Sequence, residues 1–199
     1  YATGAWIVLL YGIYGRRESW LAPLPGLLLA LLVAGGFKRA LIFANKRSTA
    51  ERLGGLLAHH DQRAGVLHGE LSTEERKAVV ARYADSKINV LCASDVAARG
   101  LDIPDIDLVI NYDLPQDAED YVHRIGRTAR AGAAGDAISF GCETYAVSLP
   151  DIEDYIGHKI PVANYDVALL PELNKPKSRP RKQTPQHRKG GGKKTVRRR

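Results

Sequence analysis

From residue 38 onward the chain alternates between short apolar runs and longer segments with helical patterning. The apolar runs cover positions 40–44, 64–67, 89–93, 108–112, 137–140 and, more briefly, 159–162. Runs of this length bounded by polar residues are typical of strands buried on both faces. Each run therefore predicts one strand.

Helix-start signals lie between most of these runs. Ser48 and Ser72 each begin a Ser-x-x-Glu capping box, in which two side chains satisfy backbone N–H groups of the first turn. Asp117 has the side chain of an N-cap, and Pro150 suits a first helical turn. Four helices are predicted, at about 48–59, 72–83, 118–128 and 150–156.

Strands that alternate with helices predict βαβ units, and hence an α/β fold with a mostly parallel sheet covered on both faces. In such sheets the loops at the carboxyl ends of the strands form the ligand site. Candidate chemistry is therefore sought directly after each predicted strand.

Residues 1–37 do not share this organisation. Positions 19–37 carry no charge and are rich in leucine, but prolines and glycines interrupt them. A membrane-spanning helix, which needs about 20 apolar residues, is one interpretation. The preferred one is that residues 1–37 are an artefact of a shifted reading frame or a divergent leader.

Charge is distributed unevenly along the chain. The 199 residues carry a net charge of +7, yet positions 174–199 hold 12 basic residues and no acidic one, which leaves the first 173 residues with a net charge of −5. We expect residues 171–199 to be a disordered basic tail that contacts phosphates, or a generic solubilising tail. With only Cys92 and Cys142, a disulfide scaffold and a cysteine-rich zinc site are excluded.

Two loops that follow strands carry the candidate chemistry. One runs from Ser94 to Asp102, and the other leads into three arginines spaced three residues apart, Arg124, Arg127 and Arg130. On a helix this spacing brings like charges together on one side, where they repel unless an anion faces them. A phosphate site is favoured over a solvated basic helix face.

These residues carry a specific resemblance. Residues 38–170 resemble the second RecA-like domain of a DEAD-box RNA helicase, which implies a three-layer RecA-like fold. In chain order, positions 41–45 resemble motif IV, Leu67–Gly69 with Arg76 a neighbouring RNA-contact motif, 94–102 motif V and 123–130 motif VI. Residues 142–162 and the basic tail further resemble one branch of the family that works in RNA degradation.

The departures from the family pattern are small. Thr73 stands where the family commonly has Gln, and Ala129 where motif VI commonly has Gly. Ser94 replaces the usual Thr and keeps the hydroxyl. Residues 1–37 match nothing in the family.

The resemblance assigns a nucleotide set. It implies that Arg127 and Arg130 are catalytic arginine fingers for the γ-phosphate of ATP, where guanidinium groups stabilise charge that develops during phosphoryl transfer. It also implies that Asp102 bonds the ribose hydroxyls and that Arg99 belongs to the same site while ordering its loop.

The resemblance also assigns RNA-binding and coupling residues. Coupling between the two sites falls to Asp95 and His123, and Arg99 and Arg124 are also implied to link them. A core histidine satisfied by the backbone is the alternative for His123. Asn45 is equally well interpreted as an RNA contact or as a strand-end turn residue. The implied RNA contacts are Asn45, Gly69, Arg76, Ser94 and Arg124, and such contacts to phosphates position RNA without reading bases.

The chain has no Gly-rich phosphate loop and no acidic Mg²⁺ motif. Positions 190–195 only superficially resemble a phosphate loop, because Lys194 occupies the Ser/Thr position. The resemblance therefore implies that ATP and Mg²⁺ are held mainly by a separate N-terminal RecA-like helicase domain. We expect negligible ATPase activity from this chain alone.

The leading hypothesis is the C-terminal half of a cytoplasmic, ATP-dependent RNA helicase that unwinds short duplexes in RNA degradation. Its expected partners are RNA, the N-terminal RecA-like domain and a degradosome-type ribonuclease, with no stable membrane partner. An autonomous RNA-binding or scaffold module without ATPase activity is the alternative. A membrane-tethered protein is a third.

Overall fold

A computed structural model describes residues 6–10, 23–100, 103, 106–128, 135–142 and 144–163. These residues form one seven-stranded sheet with helices along it. The strands are β1 (Trp6–Leu10), β2 (Ala40–Phe43), β3 (Ala64–Leu67), β4 (Val90–Ala93), β5 (Leu108–Asn111), β6 (Asp136–Gly141) and β7 (Val162–Ala163). The helices are α1 (Pro23–Ala34), α2 (Arg47–His59), α3 (Thr73–Ala84), α4 (Asp95–Ala98), α5 (Ala118–Ile125) and α6 (Leu149–Ile156), with a 3₁₀ turn at Ala146–Ser148.

The strand order is β3-β4-β2-β5-β6-β1-β7, and every pair among these strands is parallel. The central strands β2, β4 and β5 are buried along their whole length because helices cover both faces. The predicted parallel α/β fold is confirmed.

Alternate residues of each strand feed two separate cores. In β2, Ala40 and Ile42 pack with α1 and α2, whereas Leu41 and Phe43 pack toward α3. Side chains of a strand alternate between faces, so a continuous apolar run is needed when both faces are covered. A third cluster joins α5 and α6 around Ala137 of β6.

The helix starts follow the predicted caps in three of four cases. Ser72 and Glu75 form the full capping box of α3, Asp117 accepts from the backbone N–H of Glu119 at 2.9 Å, and a proline occupies the first turn of α6. The capping box predicted at Ser48 is wrong. Helix α2 begins at Arg47, and Glu51 pairs with Arg47 one turn away instead of reaching back to a cap.

Parts of residues 1–37, the predicted leader, pack with the sheet in this structure. Strand β1 lies between β6 and β7, and α1 buries Leu24, Leu27 and Leu28 in the core that Ala40 and Ile42 share. The packed unit thus includes residues before 38, where the sequence pattern placed the domain boundary. Among the described residues no helix is long and apolar enough to cross a membrane. Positions 171–199, the predicted basic tail, lie outside the described residues.

Candidate functional site

The candidate site lies where β4, β2 and β5 end side by side at the carboxyl edge of the sheet. Asn45 follows β2, Ser94 and Asp95 follow β4, and β5 ends at Asn111 before Asp113. Because parallel strands end at the same edge, residues far apart in sequence become neighbours here. Helix α5 supplies the side chain that joins them.

Arg124 on α5 uses all five of its N–H donors within the protein. Nε and one Nη donate to the two carboxylate oxygens of Asp95, at 2.6 and 2.7 Å. The same Nη donates to Oδ1 of Asn45 at 2.7 Å. The other Nη donates to the carbonyl of Asp113 at 2.7 Å and to Oδ1 of Asn111 at 3.3 Å.

The Arg124 side chain is only 2% exposed, and its guanidinium carbon lies 5.2 Å from the centre of the Phe43 ring. A guanidinium keeps its charge in a protein, so burying one requires a paired anion and acceptors for its hydrogens. Asp95 supplies the anion and the strand ends supply the acceptors. Arg124 thereby fixes the relative positions of three strand-end loops.

Asp113 is a second buried charge of this cluster. Its carboxylate accepts the backbone N–H of Asn45 at 2.9 Å. Burial raises the pKa of Asp113, while the Asn45 N–H and the nearby charge of Arg124 act in the opposite direction. The carboxylate closes the turn after β2 onto the turn after β5.

The Asn45 side chain is occupied at both ends. Its Nδ2 donates to the carbonyl of Leu114 at 2.8 Å, while its Oδ1 accepts from Arg124. This is the arrangement that the strand-end interpretation of Asn45 requires. The RNA contacts assigned to Asn45 and Arg124 stay predictions, and in this geometry their polar atoms face protein partners.

Arg99 forms a second, outer ion pair with Asp120 of α5. Arg99 is the C-cap of the single-turn helix α4, and its side chain is 58% exposed. Asp120 lies one turn before Arg124 on α5. The motif V loop is therefore fastened to α5 by two ion pairs, one buried and one open to solvent.

Arg127 lies beyond the end of its helix. Helix α5 was expected to reach residue 128, but it ends at Ile125, and Gly126 is its C-cap. Arg124 and Arg127 therefore do not share one helical side as the spacing predicted: Arg124 points into the interior, while half-buried Arg127 lines a small cleft with Arg99, Asp120 and His123. Arg130 and Asp102, the other predicted nucleotide residues, lie outside the described residues.

His123 is on the exposed side of α5. Its side chain is 57% exposed, and its Nε2 lies 3.8 Å from a carboxylate oxygen of Glu119. The alternative interpretation of His123 as a buried core histidine is wrong. The position is open to a ligand or to another domain.

The remaining predicted RNA contacts lie in the loops after β3 and β4. Arg76 donates to the carbonyls of Gly69 at 2.7 Å and Leu71 at 3.1 Å, so it holds the turn that follows β3. A Cβ added at Gly69 would have Val96, at 3.8 Å, as its nearest neighbour. Ser94 joins this loop through its backbone N–H, which donates to the carbonyl of Leu67 at 3.1 Å.

Three residues of the candidate site were not predicted from the sequence: Asn111, Asp113 and Asp120. Asn111 ends an otherwise apolar strand, and a buried amide in such a run was an available signal, because it needs polar partners. Asp120 gave no such signal, since a single acidic residue in the first turns of a helix is ordinary. Among the described residues no group of three or more His, Cys, Asp and Glu could hold a metal ion.

Fold and site together define a RecA-like α/β domain that presents ordered arginines at the carboxyl edge of its sheet. The sequence matches the helicase conserved C-terminal domain family over residues 25–132. The chain belongs to this family and, by its likeness to solved structures, to the DEAD-box proteins. The predicted resemblance is confirmed. The expectation that residues 1–37 match nothing in the family is wrong for residues 25–37, which the match includes.

Three proteins illustrate the likeness. The ATP-dependent RNA helicase RhlB of Actinobacillus succinogenes is 52% identical over 151 residues, which are 75% of this chain and 37% of that protein. The E. coli DEAD-box protein SrmB bound to regulator of ribonuclease activity A is 31% identical with a TM-score of 0.76, over 89% of this chain and 100% of that one. Mss116p DEAD-box helicase domain 2 bound to an RNA duplex is 26% identical with a TM-score of 0.65, over 80% and 63%.

The chain spans just over a third of the length of the curated relatives it matches.

Proposed function

We propose that this chain acts as the second domain of an ATP-dependent RNA helicase that opens short RNA duplexes. The observation that carries the proposal is the Arg124 cluster. It joins the loops that hold the candidate RNA contacts to the helix that leads into Arg127. A displacement of Asp95 or Asn45 on RNA binding would move the start of the Arg127 segment with it.

For the nucleotide we propose Arg127 and Arg130 as arginine fingers at the γ-phosphate of ATP, Asp102 at the ribose and Arg99 in the same site. Bound ATP with Mg²⁺ supplies the phosphoryl group that is transferred to water. Arg99 and Arg127 line one small cleft together with Asp95 and Asp120, and guanidinium groups bind phosphate oxygens in a bidentate manner. An N-terminal RecA-like domain with a phosphate loop would hold most of the nucleotide and the Mg²⁺.

For RNA we propose that the Ser94 hydroxyl, the Gly69 backbone and Arg76 contact phosphates. Arg76 already holds the turn at Gly69, so the loop is ordered before RNA arrives. Support comes from Mss116p, whose second helicase domain is similar to this chain and is bound to an RNA duplex in its solved structure. Backbone contacts of this kind give little preference for sequence.

For Arg124 we propose coupling, together with Asp95 and His123, in preference to direct RNA contact. A side chain 2% exposed with every donor used has little to offer a phosphate unless the cluster opens. Because of its five hydrogen bonds, Arg124 would have to move when either the nucleotide site or the RNA site rearranges. Coupling of this kind needs a unit with discrete arrangements, which a saturated polar cluster provides.

We further propose a role in RNA degradation in the cytoplasm, with a degradosome-type ribonuclease as partner and the basic tail at positions 171–199 adding salt-dependent RNA affinity. The support is that the curated relatives carry the name RhlB and that the similar SrmB was crystallised with a regulator of ribonuclease activity.

The test is complementation between two domains. This chain and a separately purified first RecA-like helicase domain, which carries a phosphate loop, are assayed for ATP turnover apart and together, with and without RNA. We expect RNA-stimulated turnover only from the mixture. Arg127→Ala should lower turnover by about 10³-fold or more, the usual loss for an arginine finger.

Arg82→Ala is the matched control, because it removes the same charge from an exposed position near the end of α3. It should leave turnover of the mixture unchanged, and circular dichroism should show both variants folded. Turnover from this chain alone, or full activity of the Arg127→Ala mixture, would contradict the proposal.

A further inference from the structure

The two ion pairs between α4 and α5 come from one sequence pattern that occurs twice. Asp95 and Arg99 are four residues apart, and so are Asp120 and Arg124. The pairs cross between the two elements, because Asp95 binds Arg124 while Arg99 binds Asp120. The result is a ladder with two rungs, the inner rung Asp95–Arg124 and the outer rung Arg99–Asp120.

The rungs differ in how easily they exchange partners. Opening the inner rung would strand a buried charge, since Arg124 is 2% exposed. The two aspartates are similarly exposed, Asp95 at 24% and Asp120 at 26%, so the difference lies in Arg99, whose side chain is 58% exposed. Exposed ion pairs contribute little net stability, so another anion of suitable geometry can replace the carboxylate at modest cost.

The position of the outer rung indicates which anion could replace the Asp120 carboxylate at Arg99. Arg99, Asp120, His123 and Arg127 line the same small cleft. Two carboxylates lie among these cations: Asp95 is paired with buried Arg124, and Asp120 is paired with exposed Arg99. Arg99 is followed by Gly100 at a φ of +74°, a left-handed conformation that glycine adopts without strain.

We propose that Asp120 is a positioning residue that holds Arg99 in the unliganded domain and yields it to a phosphate group of the nucleotide. The carboxylate keeps the guanidinium directed into the cleft and is displaced from it when phosphate oxygens enter. This rests on the proposed function only in that the cleft binds nucleotide phosphates. No covalent step is involved.

The proposal predicts competition between Asp120 and phosphate. Asp120→Asn keeps the size of the side chain but replaces the carboxylate with a neutral amide that holds Arg99 more weakly. Phosphate affinity should therefore rise by about two- to fivefold, the range that corresponds to the strength of an exposed ion pair.

The experiment uses inorganic triphosphate as the probe and the whole 199-residue chain as the protein. Titrations are followed in ¹⁵N NMR spectra at the Nε–Hε signals of the arginines, with Arg99 and Arg127 assigned by the loss of one signal in Arg99→Lys and Arg127→Lys. Signals resolved by residue separate binding in the cleft from binding along the basic tail. The wild type and Asp120→Asn are compared.

Asp117→Asn is the matched control. It makes the same change of charge three residues earlier, and Asn caps a helix as well as Asp does. Before any triphosphate is added, Asp120→Asn should shift the Arg99 signal and Asp117→Asn should not. Of the two variants, only Asp120→Asn should bind triphosphate more tightly than the wild type. In the double variant Asp120→Asn, Arg99→Lys, the affinity measured at the Arg127 signal should show no such gain.

The proposal is overturned if the Arg99 signal does not shift in Asp120→Asn. It is also overturned if Asp120→Asn leaves the triphosphate affinity unchanged or weaker, or if Asp117→Asn raises that affinity equally. If triphosphate moves neither Arg99 nor Arg127 in any variant, Asp120 has no anion to compete with and the proposal is wrong as well. ATP turnover by the two mixed domains is measured separately, so a failure of the helicase function is told apart from a failure of the ladder.

Discussion

An arginine and an aspartate form hydrogen bonds at each of the two edges of the sheet, where the strands begin and where they end, but the arginines differ in burial. At the amino edge, Asp107 accepts the backbone N–H groups of Lys38 at 3.0 Å and Arg39 at 3.1 Å. Arg39 donates to the carbonyl of Ala84 and to the hydroxyl of Ser86, each at 3.0 Å. Both side chains are half-buried, and their partners lie just before β2 and at the end of α3.

At the carboxyl edge the arginine is buried: the Arg124 side chain is 2% exposed, while its partner Asp95 is 24% exposed. Arg124 and its acceptors fill the space between the strand ends, and an arginine without those acceptors could not be buried there. The amino edge has a cavity of about 570 Å³ and the carboxyl edge one of about 410 Å³ beside Asn45 and Asp95. The candidate site therefore lies at the saturated buried charge and not at the larger cavity.

Replacing Arg124 should give the largest effect. Arg124→Ala leaves Asp95 and the acceptors of two asparagines without a partner, so we expect a loss of about 3–5 kcal/mol in the free energy of unfolding. Urea titration measures it. Arg39→Ala at the amino edge is the control, with an expected loss of about 1 kcal/mol, and equal losses for the two would remove the distinction between the edges.

Asp107→Ala should have an intermediate effect. Two backbone N–H groups lose their acceptor, but water can reach them, so the expected loss is about 1–2 kcal/mol in the free energy of unfolding. ATP turnover of the mixed domains should stay unchanged at a temperature where both proteins are folded. A large fall in turnover would show that the amino edge contributes to the site.

Glu153 repeats the Asp107 arrangement on α6 and adds a pH dependence. It accepts from Lys159 Nζ at 2.6 Å and from the backbone N–H of Ile160 at 2.9 Å, and these bonds lower its pKa below the ordinary glutamate value of 4.5. Because the pKa of Glu153 is lower in the folded state than in the unfolded state, its ionised carboxylate stabilises the fold at pH values above the unfolded pKa. This stabilisation is lost as the pH falls through the folded pKa.

Glu153→Gln should therefore be less stable than the wild type at pH 7, and the difference should shrink as the pH falls below about 4.5. Thermal unfolding at a series of pH values measures it. A difference that does not change with pH would mean that packing, and not charge, is responsible.

Gly69→Ala should have the smallest effect on stability. Its φ is not positive, and the added Cβ would have Val96 at 3.8 Å as its nearest neighbour, so the melting temperature should not change. If RNA approaches the Gly69 backbone closely, duplex RNA affinity should fall several-fold. Gly55→Ala, with nothing within 4 Å of the added Cβ, is the control and should leave RNA affinity intact.

Local patterns predicted most of the fold. The strand at 64–67 matches β3 residue for residue, and β2, β4 and β5 differ from their predicted ranges by one residue. Such runs are informative because both faces of a central strand must be apolar. The start of α2 was misjudged because Glu51 has a competing partner, Arg47, within one helical turn.

The arginine repeat shows where local reasoning stops. A spacing of three predicted one cationic helix side, yet α5 ends at Ile125 and Arg124 turns inward. Nothing near Arg124 in the sequence announces that its acceptors come from positions 45, 95, 111 and 113. The same holds for residues 1–37, because hydropathy alone does not separate a membrane helix from a buried segment or an artefact.

The sequence by itself determined the strand and helix pattern, the α/β class, the ordered set of motifs and the family to which the chain belongs. These depend on local periodicity, capping chemistry and residues adjacent along the chain. Tertiary structure alone decided that Arg124 is buried, that Arg99 and Asp120 form an ion pair, that β1 joins the sheet and that α1 packs in the core beside it. Each of these depends on which distant residues a parallel sheet brings to the same edge, and a side chain's burial is set by those neighbours and not by its own type.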